Sequence, residues 1–192
     1  MSNKSVKKKI LNSAAELFYN DGIANTGINA ITEKAGVAKM SLYNNFSTKS
    51  ELITSYIYQR HQEWLGLYNK RYIKTNTPID AILAVFDAYQ DHAEFAYEKG
   101  FRGCGLLNAA AEFSANSPER LAVKMHKDEV EEIIATHLSK IITNQNKIKE
   151  LALMLSFLLE GAIVRAGLEG SSHKILLAKN ITLNILEQDI NQ

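Results

Sequence analysis

The chain has 192 residues, 46% of them apolar, which is enough for a sizeable core, and its formal net charge is +1. Only two prolines, Pro78 and Pro118, and few Asn-Gly or Asp-Gly pairs argue for helices and against hairpin-rich sheets. One cysteine, Cys104, excludes an internal disulfide and suits a reducing cytoplasm, and the N-terminal lysines have no apolar run behind them to make a signal peptide.

The charge is unevenly spread. Residues 1–50 hold seven Lys/Arg against three Asp/Glu, and residues 51–192 hold fifteen against eighteen. A basic first quarter on an acidic remainder points to a polyanion partner at the N-terminus.

Val6, Ile10, Ala14 and Leu17 recur at helical spacing, with Leu11, Ala15 and Phe18 beside them, and predict a first helix of about 16 residues ended by Asp21-Gly22. Lys4, Lys7, Lys8 and Lys9 crowd its start, where cations oppose the helix dipole. They serve either solubility or contact with phosphate. Thr26 is expected to cap a second helix over about 27–35 with Ala30, Ile31 and Ala35 on its buried face. Gly36 supplies a sharp turn, Val37 plugs it, and a third helix spans about 39–45. Its apolar side is Leu42 and Phe46. Its other side carries Lys39, Met40, Ser41, Tyr43 and Asn44.

Thr48 and Glu51 fit a capping box for a fourth helix from Lys49 to about Tyr72. Thr77-Pro78 starts a fifth, reaching about Tyr97. GFRGCG at 100–105 is a break. Further helices are expected over about 106–115, 118–142, 147–166 and 172–188. That makes about nine helices and an all-α fold. The longest apolar run, 151–159, is too short for the roughly 20 residues a bilayer requires.

Two short helices joined by a tight turn form a helix-turn-helix, whose second helix enters the major groove. Lys39, Met40, Ser41 and Asn44 form its reading face. Thr26, Tyr43 and Lys49 suit phosphate contacts that hold the helix in register. Residues 5–52 closely resemble the N-terminal domain of the tetracycline-repressor (TetR) family. The resemblance rests on Ala14-Ala15-Glu16-Leu17-Phe18, Gly22, Thr26, Ala35-Gly36-Val37, Leu42-Tyr43, Asn45-Phe46, Lys49 and Leu52. It implies a DNA-binding domain over 1–50 and an effector-binding and dimerisation domain over 51–192. It also implies a homodimeric repressor released from double-stranded operator DNA by a small molecule. Three positions depart from the family pattern. Ala38 stands where a capping Ser or Thr is common, Met40 where Gly is, and Asn44 where an aromatic or His is. Asparagine can read adenine in bidentate fashion.

In the remainder, aromatics and scattered polar groups suit a small, mostly apolar effector. The candidate lining is His61, Trp64, Tyr68, Phe86, Tyr89, Cys104, Asn108 and Phe157, with His92, His137 and Glu160 as further polar groups. An ordinary aromatic core is the plain alternative. Cys104 is either a redox sensor or a small buried residue. Residues 151–164 are apolar almost all round a helix, and the last helix is similar. Leu155, Leu158, Leu159, Leu176, Ile181 and Leu183 are therefore candidates for a two-fold interface with a second copy. No metal-ligand cluster, cofactor motif or catalytic grouping has the required spacing. No enzyme, cofactor or membrane partner is expected, and the expected location is the cytoplasm.

Overall fold

The computed structural model describes residues 3–190, and side chains from residue 5 to residue 188. Lys4 therefore lies outside the described side chains. Among the described residues there are nine helices and no strand. They are α1 (Asn3–Asp21), α2 (Ile28–Ala35), α3 (Lys39–Tyr43), α4 (Lys49–Tyr72), α5 (Pro78–Ala93), α6 (Gly105–Ala111), α7 (Pro118–Leu138), α8 (Gln145–Glu169) and α9 (His173–Ile190).

Helix starts follow their capping chemistry. Thr77 accepts from the Asp80 amide while Asp80 accepts from the Thr77 amide, with Pro78 at the first turn. Thr48 Oγ1 accepts from the Glu51 amide at 3.0 Å, as expected. Glu51 reaches one residue further back than a capping box requires, to the Ser47 amide at 2.7 Å. Asn144 caps α8 by accepting from the amides of Asn146 and Lys147. The expected cap at Thr26 is absent. Gly27 is the N-cap of α2 and makes no side-chain cap bond.

The chain forms two compact units. The first comprises residues 1–61 and 105–124, and the second residues 62–104 and 125–192. In the first, α1 packs against α2, α3 and α6. Its centre is Ile10, Ala14, Phe18, Ile31, Leu42, Phe46, Leu52 and Tyr56, all nearly or fully buried. Phe18 meets Tyr56 edge to face at 5.4 Å. Ala30 is exposed, so the inner face of α2 is Ile31 and Thr32.

In the second unit, α5 and α8 both pack on α9. Ile82, Val85 and Phe86 of α5, Leu155, Leu159 and Ile163 of α8, and Ile175 and Leu186 of α9 are buried there. As a whole, α8 is long and apolar enough to cross a bilayer, with mean hydropathy 1.8 over its most apolar stretch. The nine-residue run on which the sequence expectation rests is only its middle. Its packing against α5 and α9 gives part of that apolar surface a partner within the chain.

Candidate nucleic-acid interface and effector region

The turn between α2 and α3 is made by Gly36, whose φ of 62° is left-handed, and by the Val37 amide donating to Thr32 O at 3.0 Å. α3 has five residues and starts from Ala38, which makes no side-chain cap bond. Leu42 and Phe46 are fully buried beneath it. That seating turns the opposite face outward. Met40 is 71% exposed and Tyr43 42% exposed, while Lys39 and Asn44 are exposed and Ser41 is half-buried. An exposed run holding a cation, an amide, a phenol and a flexible apolar group, anchored by two buried side chains, is what a groove-reading helix requires. Lys7 stands over the Phe46 ring at 5.0 Å from its centroid, adding positive charge close to α3.

Two of the expected phosphate-contacting residues are placed otherwise. Thr26 is buried, and its hydroxyl donates to Gly22 O at 2.6 Å. Lys49 is half-buried, and its Nζ donates to Ile23 O at 2.7 Å. One of its three donors is thus spent on the turn between α1 and α2. Tyr43, by contrast, presents its ring outward.

In the second unit, Trp64, Tyr68 and Tyr89 of the expected effector group come together. Trp64 stacks on Tyr68 at 5.7 Å and tilts against Tyr89 at 5.5 Å, with His126 edge-on to Trp64 at 5.4 Å. Trp64 Nε1 is buried without a hydrogen-bond partner. Cys104 is buried, with Lys127 Nζ 3.7 Å from its sulfur. That ammonium also meets Tyr89 Oη at 3.2 Å and Glu160 at 2.7 Å. Burial opposes its charge, but Cys104, Tyr89 and Glu160 around it outweigh burial and hold the ammonium above the usual lysine range. Burial likewise pushes the Tyr89 phenol up. Lys127 gave no signal in the sequence, because it stands in a charged stretch that reads as a solvated face.

The other expected lining residues differ in burial and in the unit they belong to. Phe86 is fully buried on α5, and Phe157 is 65% exposed on α8, so Phe157 faces solvent and lines no interior site. His61 and Asn108 belong to the first unit. A cavity of about 180 Å³ in the second unit is lined by His137, one of the expected polar groups, together with residues not expected there, among them Tyr72, Thr77 and Lys140. His137 is buried beside it, 2.9 Å from Tyr68 Oη and 3.4 Å from Lys140 Nζ. Burial, and next Lys140, lower its pKa, while burial and Tyr72 push the Tyr68 phenol up to about 12.

The apolar faces of α8 and α9 are sorted differently from the expectation. Leu155 and Leu159 are fully buried within their own chain, and Leu158 and Leu183 are half-buried. The exposed large apolar residues of α8 are Leu153, Met154, Phe157, Val164 and Leu168. On α9, Leu176 and Ile181 are exposed as expected, together with Leu177.

Among the described residues no group of three or more His, Cys, Asp or Glu side chains is placed to hold a metal ion. The model of the bacterial regulatory proteins of the tetR family matches residues 10–56, which contain α2, α3 and the turn between them. The model of the C-terminal domain of LmrA/YxaF-like transcriptional regulators matches residues 78–180. No curated protein matches the chain in sequence. Among solved structures, SCO4454, a TetR-family transcriptional regulator from Streptomyces coelicolor, is 25% identical with a TM-score of 0.85, over 98% of this chain and 97% of that one. A TetR transcriptional regulator from Chloroflexus aurantiacus is 24% identical with a TM-score of 0.85, over 97% and 96%. The reduced form of Escherichia coli NemR is 20% identical with a TM-score of 0.76, over 94% and 96%. With a helix-turn-helix whose outer face is exposed, and with family models matching it and most of the remaining helices, the chain belongs to the tetR family of bacterial regulatory proteins and is a DNA-binding transcriptional regulator, not an enzyme.

Proposed function

We propose that the protein is a cytoplasmic homodimeric repressor, with no membrane partner, that a small molecule releases from its operator. Residues 1–50 read DNA, and residues 51–192 bind the effector and form the dimer. The observation that carries this reading is the outer face of α3, where Lys39, Met40, Tyr43 and Asn44 stand exposed over the buried Leu42 and Phe46. Tyr43 and Lys39 hold phosphate, Met40 and Asn44 approach base edges, and Ser41 flanks them. Thr26 and Lys49 act behind this surface by shaping the turn that precedes α2. The effector binds among Trp64, Tyr68 and Tyr89, where the unpartnered Trp64 N–H offers a donor to an oxygen or nitrogen of the ligand. The exposed apolar faces of α8 and α9 meet those of a second copy across a two-fold axis.

The test is fluorescence anisotropy on DNA from upstream of the protein's own gene, titrated at several salt concentrations against scrambled DNA. Selective, salt-sensitive binding that Tyr43→Ala weakens supports the reading. Equal binding to scrambled DNA means that the operator lies elsewhere or that an effector is needed, and a Tyr43→Ala variant that binds like wild type removes the assignment of α3.

A further inference from the structure

We propose that Glu112 is a positioning residue for DNA reading: its carboxylate clamps the turn between α1 and α2 and makes one body of α6 and the reading head. This rests on α3 being the reading helix. The clamp is two-pronged. The Ile23 amide donates to Oε1 at 2.8 Å and the Ala24 amide to Oε2 at 2.6 Å. Consecutive amides aimed at one anion make a small receptor, and bonds to a charged acceptor are short and strong.

The turn is shaped for that carboxylate. Gly22 has φ of +89°, and a Cβ there would stand 3.2 Å from Glu112 Oε1. The carbonyls of the same segment are held from other sides, Ile23 O by Lys49 Nζ of α4 and Gly22 O by the Thr26 hydroxyl. α6 also stands close by, because a Cβ on Gly105 would lie 3.1 Å from both Tyr19 Cδ2 and Tyr56 Oη. Residues 22–26 are thus the point where α1, α4 and α6 are tied together.

Glu112 and Ala24 are exposed but Ile23 is buried, so without the carboxylate the Ala24 amide meets water while the Ile23 amide loses its partner in a largely buried place. Its removal should lower folding stability modestly without unfolding the protein. What it removes is the fixed attitude of the head. The chain passes between the two compact units after His61, before Gly105 and after Lys124.

The experiment compares full-length wild type with Glu112→Ala and Glu112→Gln in three measurements. These are amide exchange at Ile23 and Ala24, the thermal midpoint, and anisotropy on the upstream DNA carrying both half-sites or one. The alanine variant should expose both amides to faster exchange with a modestly lowered midpoint. It should bind the two-half-site DNA about tenfold more weakly, the loss corresponding to about 1.4 kcal/mol, and the single half-site about as well as wild type. Glutamine keeps the size of the side chain and one acceptor oxygen but sets its NH2 against the other backbone N–H, so it should free one of the two amides and fall between wild type and alanine. Unchanged exchange or unchanged two-site affinity overturns the clamp. An equal loss on both DNAs also overturns it, because the head itself would then be damaged. Wild type failing to prefer the upstream DNA removes that DNA as the operator and not the clamp, whose existence the exchange data decide.

Discussion

Ala38 begins the reading helix with a residue that has no side-chain acceptor, and α3 is only five residues long. Serine there should accept from an orphan amide of the first turn and stabilise the protein by about 0.5–1 kcal/mol. Urea unfolding of Ala38→Ser measures this, and an unchanged midpoint would mean that water already satisfies the helix start. Tyr43 and Lys39 should separate stability from binding. Both side chains are exposed, so Tyr43→Phe and Lys39→Ala should leave unfolding untouched. Lys39→Ala should weaken binding about equally on all sequences and lower the salt slope by about one. A loss confined to one operator sequence would instead place Lys39 on a base edge.

Each helix shows a different limit of what its residues disclose. Starts were legible, because Thr77, Pro78 and Asp80, or Thr48 and Glu51, carry their capping chemistry within four residues. Thr26 misled because α2 begins one residue further on, with Gly27 at its N-cap, and the Thr26 hydroxyl is turned back to donate to Gly22 O. Glu112 and Lys127 were illegible as site residues because their partners lie far along the chain, at Ile23 and Ala24 for one and at Tyr89, Cys104 and Glu160 for the other. On α8 the composition concealed a second constraint. A Cβ on Gly167 would lie 2.5 Å from Gly103 Cα and N, so helix and loop meet backbone to backbone. Gly167→Ala should destabilise the protein by about 1–3 kcal/mol, read as a lowered thermal midpoint, and a neutral effect would mean that the loop yields easily. At the end of α7, burial and Lys140 hold His137 below its ordinary pKa. The unfolded chain then takes up its proton first, so this stabilisation is complete above a pH of about 6.5 and is lost as pH falls through the folded value. His137→Gln should show a shallower fall in thermal midpoint between neutral and mildly acidic pH. A slope equal to that of wild type would place the acid sensitivity elsewhere.

For the molecule as a whole, the two faces of α8 make separable predictions. An all-round apolar helix states that both faces need cover but not which cover comes from its own chain, so Leu155 and Leu159 could not be told from Leu153 and Phe157 in the sequence. The structure separates them. Leu153, Phe157, Gly161, Val164 and Leu168 recur every three or four residues along one exposed stripe, and Gly161 has open space above it. Leu155 is fully buried on another face. Truncating Leu155 to alanine should therefore cost about 2–5 kcal/mol of stability through the cavity it leaves. The double variant Phe157→Glu, Val164→Glu should do the reverse. Both side chains already face water within one chain, so the fold should survive, while two charges in the stripe should repel a second copy. Sedimentation should then show a folded species of 21.5 kDa, the mass of one chain. Its affinity for DNA with two half-sites should fall to that for one, because the second head is no longer tethered near its half-site. A dimer that persists in this variant would move the interface off the α8 stripe. A monomer that still prefers two half-sites would mean that the copies meet only on DNA.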